Sequence, residues 1–190
     1  MRVLLIDCED SYTLNIYDYL KQCDVVVDIV LHQNLVLDEI RNYAALVLSP
    51  GPKSPNEIPI LTEVVMQYRR QLPILGICLG HQAIGMYFGH ELIKSKLPMH
   101  GISVKIYMTE NPIFNNIDTG NFIAMRYNSL ALAENENSEL EVIGRDESGE
   151  IMAFQHRILP IYSFQFHPES IGTPDGLNLF QNWIKLITKN

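Results

Sequence analysis

Basic residues are scarce in this sequence, and their scarcity excludes several kinds of partner. Lys and Arg number 14 against 22 Asp and Glu, which gives a formal net charge of −8 at pH 7. The basic residues are scattered rather than clustered, so no broad basic surface is available to phosphate backbones or anionic lipids. We therefore expect neither nucleic acid nor a membrane as a partner.

Long apolar runs and paired cysteines are also missing. No apolar stretch approaches the roughly 20 residues that a membrane-spanning helix needs. The three cysteines, Cys8, Cys23 and Cys78, form no Cys-x-x-Cys motif, and the N-terminus shows no signal-peptide pattern. These absences predict a reduced chain in the cytoplasm.

Metal-binding patterns are absent as well. The sequence has six histidines, but none belongs to a His-Glu-x-x-His pattern, whose helical spacing directs two imidazoles at one metal ion. We expect no metal site and no cofactor.

The sequence does contain enough apolar residues for one buried core. They make up 47% of 190 positions, which suits a single globular domain over residues 1–190. In the first half, apolar runs at residues 2–7, 25–31 and 44–48 alternate with helical segments. Because each run is continuous, rather than alternating with polar residues, the pattern predicts parallel strands that are covered on both faces.

The expected fold class is α/β. Ser11 is placed to cap the first helix, and Leu14 and Leu20 belong to its predicted inward face. After residue 89 the pattern changes to short strands joined by turns, which favours antiparallel pairing, and a helix over residues 175–189 closes the chain. We predict an open mixed, mostly parallel sheet flanked by helices, with an added small antiparallel β-layer.

A cysteine between two glycines is the first candidate for chemistry. Gly76 and Gly80 flank Cys78 at the spacing of a nucleophile elbow, where small residues let the chain turn sharply between a strand and a helix. The start of the following helix favours a thiolate. A free cysteine is usually a small buried apolar residue. The glycines, the preceding strand and the polar residues that follow favour a nucleophile instead.

The segment Phe-His-Pro-Glu-Ser at residues 166–170 supplies a candidate base. Pro168 biases His167 toward an extended conformation, so His167 and Glu169 should project to the same side. A carboxylate beside an imidazole fixes its tautomer and supports its charged form. If the strands before Cys78 and His167 are parallel neighbours, their ends share one sheet edge and a Cys-His-Glu triad becomes possible. The alternative is that His167 is a capped surface residue and Glu169 a solvated acid.

A proline-rich loop is predicted at the same edge of the sheet. Residues 49–55 read Ser-Pro-Gly-Pro-Lys-Ser-Pro, and three prolines in seven positions exclude regular structure. The loop follows a strand, and ligands of open α/β sheets bind at the carboxyl ends of the strands.

Taken together, these segments resemble the class I (triad) glutamine amidotransferases, and within them the small subunits of anthranilate synthase and aminodeoxychorismate synthase. The resemblance extends in order from the first strand to the last helix. It rests on Ile-Asp at 6–7, Asp-Ser-Tyr-Thr at 10–13, Ser-Pro-Gly-Pro at 49–52, Gly-Ile-Cys-Leu-Gly-His-Gln at 76–82, Met-His-Gly at 99–101, Arg-Tyr-Asn-Ser-Leu at 126–130 and Gln-Phe-His-Pro-Glu-Ser at 165–170.

This resemblance implies hydrolysis of L-glutamine, with ammonia passed to a large chorismate-binding synthase subunit. The family's nucleophile, general base and orienting acid match Cys78, His167 and Glu169. Its oxyanion and substrate-binding positions match, in chain order, Gly51, Leu79, Gln82, Ser129 and Leu130.

Three positions depart from the family pattern. Lys53 stands where a second glycine usually follows Pro-Gly-Pro, Ile102 where lysine usually follows Met-His-Gly, and Asn128 where histidine usually precedes Ser-Leu. None belongs to the triad, so the departures bear on coupling to the partner and not on glutamine hydrolysis. Two other functions stay open at this point: a cysteine hydrolase of γ-glutamyl or peptide bonds, and a non-catalytic regulatory or binding subunit of the same fold.

Overall fold

The computed structural model describes residues 1–188, which form eleven strands and four α-helices. Strands β1 to β11 are, in order, Arg2–Asp7, Val26–Leu31, Ala45–Leu48, Ile74–Ile77, Leu92–Lys94, Ile102–Met108, Ile123–Arg126, Leu130–Leu132, Leu140–Asp146, Ile151–His156 and Ile161–Phe164. Helices α1 to α4 are Thr13–Lys21, Ile60–Tyr68, Leu79–Tyr87 and Gly176–Thr188. The predicted end of the last helix at Lys189 lies outside the described residues.

Nine of these strands form one mixed sheet, in the order β2-β1-β3-β4-β11-β10-β9-β6-β7. The pairings from β2 to β11 are parallel, and those from β11 to β7 are antiparallel. Strands β5 and β8 pair separately as a small antiparallel layer. The predicted fold class is therefore confirmed, with antiparallel strands both continuing the main sheet and forming the added layer.

Helices cover both faces of the parallel strands, which explains their continuous apolar sequences. Val3 and Leu5 of β1 pack in the core beneath α1 and α4, whereas Leu4 and Ile6 pack in the core beneath α2 and α3. Every residue of β3 and β4 is buried. A strand with helices on each side has no face left for polar residues.

The first helix differs from its prediction. It begins at Thr13, and no side chain caps it, so the predicted cap by Ser11 is wrong. Just before the helix, the Asp10 carboxylate accepts a hydrogen bond from the N–H of Tyr12 at 2.8 Å. Leu14 is 64% exposed, so its predicted inward placement is wrong. The buried face of α1 consists of Thr13, Ile16 and Leu20, spaced i, i+3 and i+7, and Leu14 lies about 100° around the helix from Thr13.

The central strands bring several loops to one edge of the sheet. Strand β4 lies between β3 and β11 and runs parallel to both, with Ile77 opposite Phe164. The N–H of Cys78 donates to the carbonyl of Phe164 at 2.8 Å, which joins the ends of β4 and β11. The segments after β1, β3, β4 and β11 therefore emerge together.

Within residues 1–188, no helix combines the length and apolar character that crossing a bilayer requires.

Candidate active site

Cys78 occupies a strained turn between β4 and α3. Its backbone has φ +50° and ψ −99°, a conformation that residues with a side chain rarely adopt. Strain of this kind costs about 1–3 kcal/mol and persists only where the surroundings enforce it. The Cys78 side chain is 8% exposed and lines a pocket at the sheet edge.

Gly80 explains how the turn is accommodated. A Cβ added at Gly80 would lie 2.4 Å from the carbonyl oxygen of Leu48 and 2.6 Å from its Cβ. Neither group belongs to a flexible side-chain end, so only glycine lets α3 pack this closely against β3. The glycine after the cysteine thus brings the start of α3 to the end of β3.

His167 and Glu169 form a buried pair beside the pocket. The Nδ1 of His167 lies 2.6 Å from Oε1 of Glu169, and the two residues are 2% and 1% exposed. The backbone of His167 is held as well, because its N–H donates to the carbonyl of Met125 at 2.9 Å and its carbonyl accepts from Oγ1 of Thr173 at 2.7 Å. The imidazole is therefore fixed in orientation before any substrate binds.

The electrostatic surroundings favour the charged imidazole. Burial disfavours the positive charge, but the neighbouring Cys78 and Glu169 outweigh burial and raise the pKa of His167 well above 6.5. Nε2 of His167 is buried and has no hydrogen-bond partner among residues 1–188. At neutral pH the His167 ring is therefore the charged imidazolium. Its Nδ1 faces Glu169, and its Nε2 has no hydrogen-bond partner in the described part of the chain.

The pocket has a volume of about 580 Å³, which suits a small molecule. Both Cys78 and His167 line it, and Glu169 lies behind His167. Its walls include all five predicted oxyanion and substrate-binding residues, Gly51, Leu79, Gln82, Ser129 and Leu130.

The two predicted oxyanion positions lie side by side. A Cβ added at Gly51 would come within 2.6 Å of a Leu79 methyl group and 2.9 Å of the Cys8 carbonyl oxygen, so glycine permits the close approach. Leu79 is the first residue of α3, where the backbone N–H has no partner within the helix. The backbone segments that carry the two predicted donors therefore meet beside Cys78.

The other substrate-binding candidates are tied to one another. The Gln82 side chain donates to the Leu130 carbonyl at 3.2 Å and to the Gln165 side chain at 3.1 Å. Ser129 is exposed at the pocket wall, and its carbonyl accepts from the N–H of Ser95 at 3.0 Å. Helix α3 and the turn before β8 are thereby held at fixed positions around the pocket.

Two tyrosines and a lysine also line the pocket, and the sequence had given the tyrosines no role. Tyr12 and Tyr127 contact the His167 ring edge-on, with centroids 5.7 and 4.9 Å away. Their presence inside two of the matched motifs was the available signal. Lys53 also lines the pocket, and its Nζ lies 3.4 Å from the Glu9 carboxylate on the loop after β1.

The remaining buried histidines lie away from this pocket. His81 and His90 both pack against Phe154, at ring distances of 5.0 and 4.7 Å. Burial lowers the pKa of His81 to about 3, so this side chain is neutral. In the part of the chain that the structure describes, no three His, Cys, Asp or Glu side chains are grouped to hold a metal ion.

The architecture matches solved structures along the whole chain. The crystal structure of a Thermoplasma acidophilum protein assigned to GMP synthase superimposes with a TM-score of 0.89 at 25% identity, covering 100% of this chain and 94% of that one. The fold is that of the class I glutamine amidotransferases.

Sequence comparison identifies the family. Residues 4–186 match the family described as glutamine amidotransferase class-I, and the chain belongs to it. The chain is 36% identical over 190 residues to the aminodeoxychorismate/anthranilate synthase component 2 of Bacillus subtilis, covering 98% of this chain and 97% of that protein. It is 35% identical over 190 residues to the bifunctional protein TrpGD of Thermotoga maritima, where 97% of this chain aligns with 32% of that longer protein.

Proposed function

We propose that this chain hydrolyses L-glutamine to L-glutamate and ammonia through Cys78, His167 and Glu169. One observation carries the proposal: a strained cysteine and a buried histidine–carboxylate pair adjoin a single pocket that is large enough for a free amino acid. Family membership supports the choice of glutamine over other amides.

The reaction follows from the positions of these groups. Sγ of Cys78, with its proton held on His167, attacks the side-chain carbonyl carbon as a thiolate, and the backbone N–H groups of Gly51 and Leu79 stabilise the charge that develops on the carbonyl oxygen. His167 gives its proton to the departing nitrogen, which leaves as ammonia. Water, deprotonated by the now neutral His167, attacks the γ-glutamyl thioester and releases glutamate. Glu169 keeps the imidazole oriented and supports its charge.

A second part of the pocket wall is proposed to bind the amino acid end of the substrate. Gln82, Ser129 and Leu130 lie there and offer side-chain and backbone polar groups. Positioning the far end of glutamine brings its amide to the thiol, which lowers the barrier by orientation.

A cysteine substitution with a matched control tests the chemistry. Cys78→Ser should reduce the release of glutamate and ammonia from glutamine by at least about 10³-fold, because the hydroxyl is a much weaker nucleophile. Cys23→Ser, a half-buried cysteine outside the pocket, should retain full activity. Activity that survives in Cys78→Ser would contradict the proposal. Preferential cleavage of a γ-glutamyl dipeptide, assayed in parallel, would instead indicate a peptide hydrolase.

We further propose that the ammonia passes to a synthase subunit that aminates chorismate. The Bacillus subtilis relative is named as component 2 of such a synthase. Ammonia that escaped into water would be protonated, so the partner must cover the pocket. Three exposed apolar side chains lie in segments next to pocket-lining residues: Leu97, Ile102 and Ile171 are 52%, 50% and 96% exposed. A reduced compartment such as the cytoplasm would keep the Cys78 thiol available.

Isotope transfer tests this coupling. With amide-¹⁵N glutamine and excess unlabelled ammonium, a coupled complex should place ¹⁵N in the aminated product. Ile171→Asp should weaken the transfer by about tenfold, because a charge is buried at the contact. Ile158→Asp is the matched control: it is 87% exposed and lies in the turn between β10 and β11, at the opposite end of β11 from the pocket. Equal transfer by both variants would exclude this docking face.

A further inference from the structure

A fully buried arginine lies beneath the pocket wall that carries Ser129 and Leu130. Arg126 is 0% exposed, and its guanidinium contacts Asp146 and donates to Oε2 of Glu150 at 2.8 Å. Its Nε donates to Oδ1 of Asn128 at 3.0 Å. A buried charge needs such partners, and removing one leaves another uncompensated. The two acids therefore hold the Arg126 side chain in one position, and Arg126 in turn holds the Asn128 side chain.

This contact fixes which way the Asn128 amide faces. The guanidinium carries donors only, so the oxygen of the Asn128 amide must face Arg126 and the NH₂ group must face the other way. There Nδ2 donates to the Leu130 carbonyl at 2.9 Å, and the Asn128 side chain is buried throughout. Asn128 thus works as a bridge with one acceptor end and one donor end.

The Leu130 carbonyl is held from a second direction by helix α3. Nε2 of Gln82 donates to it at 3.2 Å, and the N–H of Gln82 donates to the carbonyl of Cys78 at 3.0 Å. A carbonyl with both lone pairs engaged fixes its own peptide plane, and the neighbouring pocket wall with it. Hydrogen bonds therefore lead from Arg126 through Asn128 and the Leu130 carbonyl to Gln82, which lies one helical turn after Cys78.

We propose that Asn128 is a positioning residue for glutamine: it sets the backbone of Ser129 and Leu130 to receive the amino acid end of the substrate. This inference rests on the proposed glutaminase function. It also assigns a role to a position where the chain departs from its family, because asparagine here provides the same pair of one acceptor and one donor that a neutral histidine would.

Two substitutions of Asn128 test the bridge while leaving Arg126 intact. Asn128→Asp keeps the acceptor for Arg126 but replaces the donor with an oxygen that repels the Leu130 carbonyl. We expect KM for glutamine to rise about tenfold with kcat within about threefold, the size of one lost hydrogen bond. Asn128→His keeps one acceptor and one donor and should restore most of the affinity. Asn135→Asp, which removes a similar side-chain bond to the Gly89 carbonyl outside the pocket, is the control.

Two labelling reagents separate positioning from general loosening of the structure. Inactivation by 6-diazo-5-oxo-L-norleucine, which has the shape of glutamine, should need about tenfold more reagent for half-saturation in Asn128→Asp. Alkylation of Cys78 by iodoacetamide should not change, since it requires only an accessible thiol. Equal half-saturation in wild type and Asn128→Asp would overturn the positioning role alone, as would faster alkylation in the variant. A wild-type protein whose Cys78 is not labelled by the glutamine analogue would overturn the proposed function itself.

Discussion

The hydroxyl oxygens of Tyr12 and Tyr127 lie 2.7 Å apart and join two loops across the ring of His167. Both rings meet the imidazole edge-on, and the hydrogen bond between the hydroxyls raises the pKa of Tyr12 to about 12. The loop after β1 is thereby attached to the segment between β7 and β8. The two rings pack against the imidazole and contribute to the burial of the proposed base.

Removing only the Tyr12 hydroxyl should have a small effect. Tyr12→Phe keeps the ring on His167 and loses one partly buried hydrogen bond, so we expect about 1 kcal/mol lower stability and kcat within about threefold. Tyr12→Ala removes the ring and should lower kcat by about tenfold or more, because His167 loses packing that orients it. Steady-state glutaminase kinetics and urea unfolding measure both. Tyr107→Phe, at an exposed tyrosine outside the pocket, should change neither. Equal kcat in Tyr12→Ala and wild type would refute the orienting role.

The sequence predicted the order of the structural elements well because the signals were local. Continuous apolar runs mark strands that are covered on both faces, and glycines around Cys78 mark a close turn. The meeting of Cys78 with His167 required one further assumption, that β4 and β11 are parallel neighbours. The pairing of Ile77 with Phe164 confirms that assumption.

Features that depend on distant contacts could not be predicted. Leu14 is apolar, yet it faces solvent because the core packs against the helix face that carries Thr13, Ile16 and Leu20. Arg126 begins one of the matched motifs but had no role of its own in the prediction, and only the fold brings Asp146 and Glu150 to it. Neither outcome leaves a periodic or local trace in the sequence.

Glu169 offers a direct test of the buried acid. Glu169→Gln removes the charge that helps to raise the pKa of His167, so less imidazolium is available at neutral pH and the amide also supports the wrong tautomer. We expect kcat to fall on the order of 10²-fold. The pKa of His167, followed by NMR, should decrease.

The matched control for this substitution is another glutamate beside a histidine. Glu139 is exposed, and its carboxylate lies 3.5 Å from Nε2 of His156, outside the pocket. Glu139→Gln should leave kcat unchanged. If both variants keep full activity, Glu169 does not orient the base.

Gly80 should tolerate no side chain. A methyl group there would lie 2.4 Å from the Leu48 carbonyl oxygen, so α3 must move away from β3. We expect Gly80→Ala to lose about 1–3 kcal/mol of unfolding free energy, as overpacked cores do, and to displace Cys78 from its turn. Gly120→Ala is the control, since its nearest neighbour is the end of the Asp118 side chain at 3.2 Å. Similar losses in the two variants, measured by denaturant unfolding, would contradict the close-packing argument.

Buried His81 should make the fold sensitive to acid. Its ring stacks on Phe154 and its Nδ1 lies 2.9 Å from Oγ of Ser163, while burial and the nearby His90 lower its pKa to about 3 from an ordinary 6.5. Between those pH values the unfolded chain binds one more proton than the folded chain at this position. Stability is therefore fully present above pH 6.5 and is lost as the pH falls below it.

The size of this effect sets a measurable slope. His81 alone should reduce the unfolding free energy by about 1 kcal/mol per pH unit between pH 6 and pH 5, and His156, whose pKa burial also lowers, should add to the loss. Carboxylates such as Glu134, whose pKa lies below 4.5, change the unfolding free energy only at lower pH. His167, whose pKa is raised, changes it only above pH 6.5. His81→Gln should have a lower unfolding free energy at pH 7. Its unfolding free energy should also depend less steeply on pH, because unfolding takes up about one proton fewer. Urea unfolding at pH 7, 6 and 5 measures both slopes, and identical slopes would show that His81 is not the neutral buried group.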